Sequence, residues 1–356
     1  MKIEKNELTR VIRMLKKTVP SKPLLPVLSG VLVKDGDIIA NNNVIAVKVP
    51  VAAAKGESFI IPAAAFEFIG SLPSGEIEIV AQNKGKHNSI TINSGKIINR
   101  YYTSDPDSFP VPNDKFESDT MCVIDSETLI KSIKRVSFAI SPSESSMIMN
   151  SLYMKANDGI LNVVAMDGRV LAWDKIDFND GSFELLIPRE SVDCMLAMNL
   201  DGNITINHNN NSAIFTTGKC VIYTRLTDGK YYNYEPLFEK PLSVKILVDK
   251  QSLLATMTRS KLVTKEKQPA RIEIKDSEIT VSVKGELAEY SETVNLKEEI
   301  EQNIVIGIDP RFMVDSLEKY EDDDIMIDLE NGNMPIVIHH KNDQFKTMIT
   351  PVAGVK

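Results

Sequence analysis

An internal repeat runs through this chain of 356 residues and limits the folds that it can adopt. Around Pro62, Pro188 and Pro310 the sequence reads three times as an apolar strand, a proline, a short stretch with helical apolar spacing and an alternating strand. Proline has no backbone N–H, so it is tolerated in the first turn of a helix and marks each predicted helix start. The prolines lie 126 and 122 residues apart, which predicts three copies of one larger unit.

A second set of three helices is predicted between these segments. Residues 7–19, 126–137 and 250–260 place apolar side chains at helical spacing. Asp125 and Asp249 immediately precede the second and third of these helices. We expect both to act as N-caps, because a carboxylate accepts hydrogen bonds from the free N–H groups of the first turn.

Alternating strands follow these helices. They flank tight turns at residues 157–159 and 275–276, which predicts β-hairpins. The chain is therefore predicted to have an α+β fold of three duplicated domains, each made of two helix-plus-antiparallel-strand units. The predicted domains are residues 1–121, 122–244 and 245–356.

The composition excludes several classes of protein. Apolar residues make up 43% of the chain, too many for a disordered protein, and no apolar run approaches the ~20 residues of a membrane span. The N-terminus carries acids where a signal peptide has its apolar core, and three cysteines are too few for a disulfide framework. We therefore expect a cytoplasmic protein that does not bind membranes. The net charge of −8 differs from that of a generic nucleic-acid coat, but it allows DNA binding by a local basic surface.

No catalytic or metal-binding motif is recognisable in the sequence. It has no Cys-x-x-Cys, Walker A, Gly-x-Gly-x-x-Gly or Gly-x-Ser-x-Gly pattern. The adjacent His339 and His340 would point to opposite faces of a strand and cannot readily share one metal ion. The acidic run 321–324 follows a predicted helix, where solvated acids are common. We expect no metal, no cofactor and no enzymatic activity.

Five stretches of the chain, in their order along it, resemble one known family. They are residues 24–30 (LLPVLSG), Phe109-Pro110, residues 164–172 (VAMDGRVLA), residues 224–234 (TRLTDGKYYNY) and residues 348–352 (MITPV). These stretches are similar to those of the bacterial DNA polymerase III beta subunit family, the sliding clamps. The sequence departs from the usual family residues at Met166, Val170, Tyr232 and Pro236.

The resemblance implies a DNA-clamp fold that closes into a ring as a head-to-tail homodimer. It implies a processivity factor that encircles double-stranded DNA without sequence preference and tethers the replicative DNA polymerase. Further implied partners are a clamp loader, and other DNA polymerases and repair proteins that bind through short apolar peptide motifs. It leaves open which polymerase and loader are served, and whether the gene is chromosomal or carried by a mobile element.

Basic side chains recur at equivalent helical positions and form the predicted DNA-binding set. Their spacing alone predicts that they lie on solvated helix faces, opposite apolar residues. The resemblance implies that those faces line the central hole of the ring. Lys22 enters only by resemblance, since it precedes the first-domain strand where the family has a basic DNA contact. The predicted DNA-binding residues are Arg10, Arg13, Lys17, Lys22, Lys131, Lys134 and Arg135. Arg259, Lys261 and Lys265 occupy the corresponding region of the third domain.

The resemblance also assigns a partner-peptide groove and a dimer interface. The groove would take extended peptides with Leu or Phe anchors. Its predicted residues are Met149, Met166, Gly168, Val170, Leu171, Tyr232, Pro236, Leu237, Met348, Thr350, Pro351 and Val352. Leu262 and Val263 match an apolar position of the family's dimer interface.

Two alternative functions stay open on the sequence alone. One is a β-rich repeat scaffold that binds peptides but not DNA, and the other is a cytosolic hydrolase without a recognisable motif. Retention on circular against linear DNA separates the first from a clamp, and an activity screen with metal titration tests the second.

Overall fold

The computed structural model describes residues 1–84, 87–113, 120–143, 145–265, 268–285, 288–340 and 344–353. Within these ranges the α-helices are α1 (Lys5–Leu15), α2 (Phe66–Ser71), α3 (Ser126–Val136), α4 (Arg189–Ala197), α5 (Glu235–Glu239), α6 (Lys250–Val263) and α7 (Pro310–Leu317). The strands are β1 (Lys2–Glu4), β2 (Gly30–Lys34), β3 (Asp37–Asn41), β4 (Ile45–Pro50), β5 (Ser58–Pro62), β6 (Glu76–Lys84), β7 (His87–Ser94), β8 (Ile97–Thr103), β9 (Thr120–Asp125), β10 (Ser151–Asn157), β11 (Ile160–Met166), β12 (Val170–Asp177), β13 (Phe183–Pro188), β14 (Asn203–His208), β15 (Ser212–Thr216), β16 (Val221–Arg225), β17 (Val244–Asp249), β18 (Ala270–Lys284), β19 (Glu289–Ile308), β20 (Asp324–Leu329), β21 (Ile336–His339) and β22 (Phe345–Ile349).

The chain divides into two compact units, and the first comprises residues 1–130 and 180–227. Its strands form a four-stranded sheet in the order β1-β6-β7-β8 and an eight-stranded sheet in the order β5-β2-β3-β4-β16-β15-β14-β9. The larger sheet crosses the predicted boundary between the first two domains, because β4 pairs antiparallel with β16. Helix α1 buries Leu8, Val11 and Leu15, which fixes the face that it turns to solvent.

The second unit comprises residues 131–179 and 228–356. Its strands follow one another in the order β10-β11-β12-β22-β21-β20-β17-β19-β18. Here β12 pairs antiparallel with β22, so the sheet crosses the predicted boundary between the second and third domains. These two sheet junctions, β4 with β16 and β12 with β22, position the surfaces described below.

The helix predictions are confirmed with small corrections. Helices α1, α3 and α6 lie where apolar spacing predicts them. Asp249 caps α6 by accepting a hydrogen bond of 2.8 Å from the Ser252 N–H, and the Asp125 carboxylate accepts one of 2.8 Å from the Thr128 N–H. Pro310 is the first residue of α7, as predicted.

The other two prolines of the repeat differ from that expectation. Pro62 and Pro188 are the last residues of β5 and β13, one residue before a 3-10 turn and before α4 respectively. Their φ angles are near the fixed value of the ring, which also suits the end of a strand. Proline therefore marks the entry to the helix in all three copies, but it lies inside the helix only in the third.

The predicted hairpin at residues 157–159 is confirmed, since Asp158 and Gly159 adopt positive φ angles of 51° and 81° between β10 and β11. Around residue 275 the structure has one long element, β18, that pairs with β19 over its length. Asp276 has a φ of 53°, and the pairing register shifts on both sides of it. The turn predicted there is therefore a break in the strand register.

Candidate functional site

Helix α1 presents two of the predicted DNA-binding side chains, Arg10 and Arg13, to solvent, because its buried apolar residues occupy the other face, as the spacing predicts. Lys17 is also exposed, but it lies in the turn after the helix, which ends at Leu15, earlier than predicted. Lys22 is also exposed, in the loop between α1 and β2. Next to it Leu24 is 90% exposed, an apolar side chain that the sequence reading did not single out.

Helix α3 presents its basic residues differently. Lys134 is exposed, whereas the Lys131 Nζ atom lies 2.8 Å from a carboxylate oxygen of Glu321. The Arg135 guanidinium is half-buried, 3.5 Å from the buried Asp174 carboxylate and 3.7 Å from Glu321. Two of the three basic side chains that α3 contributes are therefore engaged by carboxylates of the same unit.

Hydrogen bonding, burial and nearby charge set the pKa values of the acids in this cluster. The hydrogen bond from Lys131 holds the pKa of Glu321 below its usual value. Burial raises the pKa of Asp174, and the nearby charge of Arg135 acts in the opposite direction. Arg135 also lies over the ring of Phe345, 5.6 Å from its centroid. Arg135 thus joins α3 to β12 and β22.

On α6 the corresponding basic residue is also paired. Arg259 donates two hydrogen bonds to the Glu292 carboxylate, at 2.8 and 2.5 Å, and they lower the pKa of Glu292 to about 2. Lys261 and Lys265 are exposed. Leu262, beside Lys261, is 82% exposed, and Val263 is partly exposed.

The backbone of the predicted groove is built by one turn and one strand junction. The Asp167 carboxylate accepts hydrogen bonds from the N–H groups of Arg169 and Val170, at 2.8 and 3.0 Å, which closes the turn between β11 and β12. Gly168 takes the positive φ of 85° that this turn needs. The Thr350 N–H donates to the Arg169 carbonyl at 2.8 Å, so the segment that follows β22 is tied to the turn.

The structure brings the predicted groove residues into this one unit, but it exposes them unequally. Leu171 and Met348 are paired neighbours on β12 and β22, and both are buried, as is Val170. The remaining groove residues are exposed or partly exposed: Met149, Met166, Gly168, Tyr232, Pro236, Leu237, Thr350, Pro351 and Val352. Residues 354–356, which extend past this segment, lie outside the described residues.

An aromatic cluster in the same unit was not foreseen from the sequence. Tyr153 and Tyr231 stack with ring centroids 4.5 Å apart, and Trp173 meets Tyr234 edge-on at 5.1 Å. Phe238 lies 5.4 Å from Trp173. The density of tyrosines between residues 231 and 234 was the available signal, but contacts with Tyr153 and Trp173 depend on the folded sheet.

Metal and membrane features can be stated for the described part of the chain. It holds no group of three or more His, Cys, Asp or Glu side chains placed to bind a metal ion. His339 and His340 instead contact separate carboxylates, Asp328 at 3.2 Å and Asp322 at 3.3 Å. Across the same ranges, no helix combines the length and apolar character that a membrane crossing needs.

Comparison with protein-family models finds two matches. Residues 123–233 match the model of the DNA polymerase III beta subunit, central domain, and residues 237–353 match that of the DNA polymerase III beta subunit, C-terminal domain. Together the two matches cover well over half of the chain.

Comparison with individual proteins agrees with these matches. The chain is 27% identical over 354 residues to the beta sliding clamp of Chlamydia muridarum, covering 94% of each chain. Its fold is similar to that of the DNA polymerase III beta subunit of Thermotoga maritima, with a TM-score of 0.88 and 22% identity over 99% of both chains. It is equally similar to a sliding clamp from Pseudomonas aeruginosa bound to griselimycin, with a TM-score of 0.89, 21% identity and 99% coverage of both.

Proposed function

We propose that two copies of this chain, which belongs to the bacterial DNA polymerase III beta subunit family and is a sliding clamp, close head to tail into a ring around duplex DNA. The ring tethers the replicative polymerase and gives it processivity. Its function needs no catalytic step by the clamp itself, and we place it in the cytoplasm. The observation that carries this proposal is the solvated basic face of α1, on a chain whose net charge is −8.

DNA contact in this proposal is made by side chains that carry no sequence information. Lysine and arginine contacts to phosphates position a duplex but do not read its bases. Arg10, Arg13, Lys17, Lys22 and Lys134 are exposed and available for such contacts. Topological closure then supplies the retention, so individual contacts are weak and the ring is free to slide.

Partner binding in this proposal uses the groove around the 166–171 turn. Leu237 is 48% exposed and Tyr232 43% exposed, so both side chains offer surface to a partner. A polymerase subunit, a clamp loader and repair proteins would each insert one or two large apolar side chains of a short peptide here. The departures at Met166, Val170 and Tyr232 would shift the preference among peptides.

The homodimer is supported by apolar side chains at two exposed places. Leu262 at the end of α6 is 82% exposed, and on β8 Ile98 and Tyr102 are 71% and 77% exposed. Strand β8 is the last strand of its sheet, so one of its edges carries backbone groups open to pairing with another chain. A head-to-tail contact would bury both places.

The decisive experiment measures retention on nicked circular DNA as a function of salt. Replacing Arg10, Arg13 and Lys134 by Glu should reduce loading and lower the slope of log affinity against log salt by about one per lost phosphate contact. The matched control replaces the exposed Lys55, Lys240 and Lys275 by Glu, which changes the charge equally and should leave retention near that of the original protein. Equal retention of the two variants would refute the basic-face assignment. Equal retention on linear and circular DNA would refute the ring.

A further inference from the structure

The junction between β4 and β16 repeats the junction that builds the groove. Ile45 pairs with Thr224 in the first junction, and Val170 pairs with Ile349 in the second. Each residue of the second pair lies 125 positions after the corresponding residue of the first pair, so the two junctions have the same pairing register. All the residues of the first junction belong to one compact unit.

The turns beside the two junctions are also the same. The Asn42 side chain accepts hydrogen bonds from the N–H groups of Val44 and Ile45 at 3.0 and 2.9 Å, as Asp167 does for Arg169 and Val170. Asn43 has a φ of 74°, where Gly168 has 85°.

The strand that follows is tied to each turn in the same way. The Arg225 N–H donates to the Val44 carbonyl at 2.9 Å, which matches the bond from Thr350 to Arg169. The backbone frame of the groove is therefore present twice in the chain, and the second frame lies at the first junction.

An open cavity of about 330 Å³ lies at the first junction, near the lower limit for pockets that take small ligands. Ala46, Val111 and Pro112 supply apolar walls, and Asn41 and Arg225 supply polar groups. By the shift of 125 residues, Ala46 corresponds to Leu171, and Arg225 corresponds to Thr350. Compared with the groove, the cavity therefore has alanine in place of leucine in its apolar wall and arginine in place of threonine.

We propose that this first-junction cavity is a second peptide-binding site, which takes a short extended segment carrying one aliphatic side chain and one carboxylate. The aliphatic side chain would lie against Ala46 and Val111. The carboxylate would pair with Arg225, which is exposed and forms no ion pair with another described residue, and the described residues that line the cavity include no carboxylate. The site is separate from the groove and does not depend on the groove assignment.

The test uses methyl-labelled full-length protein and four acetylated peptides. Three of the peptides are amidated and carry Leu and Asp, either adjacent or separated by one or two Ser residues. The fourth ends in Leu with a free α-carboxylate. The set therefore distinguishes an aspartate side chain from a C-terminal carboxylate as the group that pairs with Arg225. The methyl signals of Val44, Ile45, Val111 and Ile214 report on the cavity. We expect saturable shifts of these signals with at least one peptide.

Three variants and one analogue decide the outcome. Arg225→Gln, and separately an Asp-to-Asn change in the peptide, should weaken binding about fivefold, as expected for one exposed charge pair. Lys55→Gln, an exposed cation outside the cavity, should leave affinity unchanged, and so should Leu237→Asp, which disables only the groove.

Absence of saturable shifts with all four peptides, or equal affinity of Arg225→Gln, would overturn the proposal. So would shifts that follow protein concentration alone, because a second copy of the chain would then fill the cavity. None of these results would affect the DNA experiment above, so the clamp function is tested separately.

Discussion

Arg135 lies between Asp174 and Glu321, and Asp174 is buried. Removing one partner of a buried ion pair leaves the other charge without compensation. We expect Arg135→Gln to lower the free energy of unfolding by about 2 kcal/mol, less than for a fully buried pair because Arg135 keeps some contact with water. Lys134→Gln, the exposed neighbour, should change it by less than about 0.5 kcal/mol. Urea denaturation at neutral pH measures both, and equal stability of the two variants would contradict a structural role for Arg135.

Glu292 is expected to contribute stability that depends on pH. Its pKa is lowered from 4.5 to about 2, first by the hydrogen bonds from Arg259. A carboxylate with a lowered pKa in the folded state contributes stability that is fully present above pH 4.5 and is lost as the pH falls toward 2. Glu292→Gln should therefore flatten the decline of the urea midpoint over this interval, whereas Glu301→Gln, an exposed glutamate nearby in the sequence, should not. An unchanged profile in Glu292→Gln would show that the pair does not form in solution.

Single side chains differ in how far the sequence predicts them. The caps at Asp125 and Asp249 were predictable because a cap acts on a neighbour three residues away. The pairing of Lys131 with Glu321 was not, because 190 residues separate the two in sequence. Spacing on a helix identifies a solvated face, but it does not show which carboxylate comes to lie beside it.

Glu321 would compete with DNA for the phosphate contacts that we propose for helix α3. Glu321 binds Lys131 and also lies near Arg135, so DNA must displace it before Lys131 can bind a phosphate. We expect Glu321→Gln to strengthen DNA binding and to increase the salt slope by up to about one contact. Asp323→Asn makes the same charge change at an exposed acid two residues away and serves as the control. If both variants bind DNA equally, the gain comes from net charge and the competition does not occur.

The segment after β22 is expected to form one wall of the groove. The Val352 N–H donates to the Gly307 carbonyl at 2.8 Å, and Thr350 is tied to Arg169. Deleting residues 351–356 should weaken binding of a Leu/Phe-anchored polymerase peptide from the micromolar range, about −8 kcal/mol, by roughly 2 kcal/mol or more. Deleting only residues 354–356 should change the affinity little. Titration calorimetry measures both, and equal affinities with the dimer intact would show that the groove lies elsewhere.

The sequence predicted where strands of the groove lie better than it predicted the exposure of the groove side chains. The repeat predicted alternating strands on both sides of the 157–159 turn, where β10 and β11 lie, and the resemblance assigned residues of β12 and β22 to one groove. They did not reveal that Val170, Leu171 and Met348 are buried, because burial depends on the pairing of β12 with β22, whose paired residues are 171 to 179 positions apart in sequence. Leu237 and Tyr232 therefore offer more apolar surface to a partner than those three residues do.

The assembled ring provides a test of the dimer contact. Leu262→Asp places a charge on an exposed apolar residue, so the isolated chain should keep its fold while a dimer would have to bury an unpaired carboxylate. We expect a folded monomer by analytical ultracentrifugation. Gln251→Asp, at the exposed start of the same helix, should sediment as the original protein does. A dimeric Leu262→Asp protein would place the interface away from the end of α6.

The overall fold was predictable because the repeat is long and regular, whereas its division into compact units was not. Pairing of β4 with β16, and of β12 with β22, joins strands from neighbouring predicted domains. The compact units therefore combine parts of different repeats, and the division into three domains stays a prediction. Strand pairing across the boundary between two predicted domains is not accompanied by a change in composition or by a flexible linker, so the sequence does not reveal it.

The aromatic cluster beside the groove has a practical consequence for the whole molecule. The chain contains one tryptophan, Trp173, which is almost fully buried against Tyr234 and Phe238 and has the Lys175 Nζ atom 4.2 Å from its ring centroid. All tryptophan fluorescence of this protein therefore comes from a residue that lies two positions after Leu171 in the sequence. A partner that moves α5 or the ammonium group changes the surroundings of that single fluorophore, so occupancy can be followed optically on unlabelled protein.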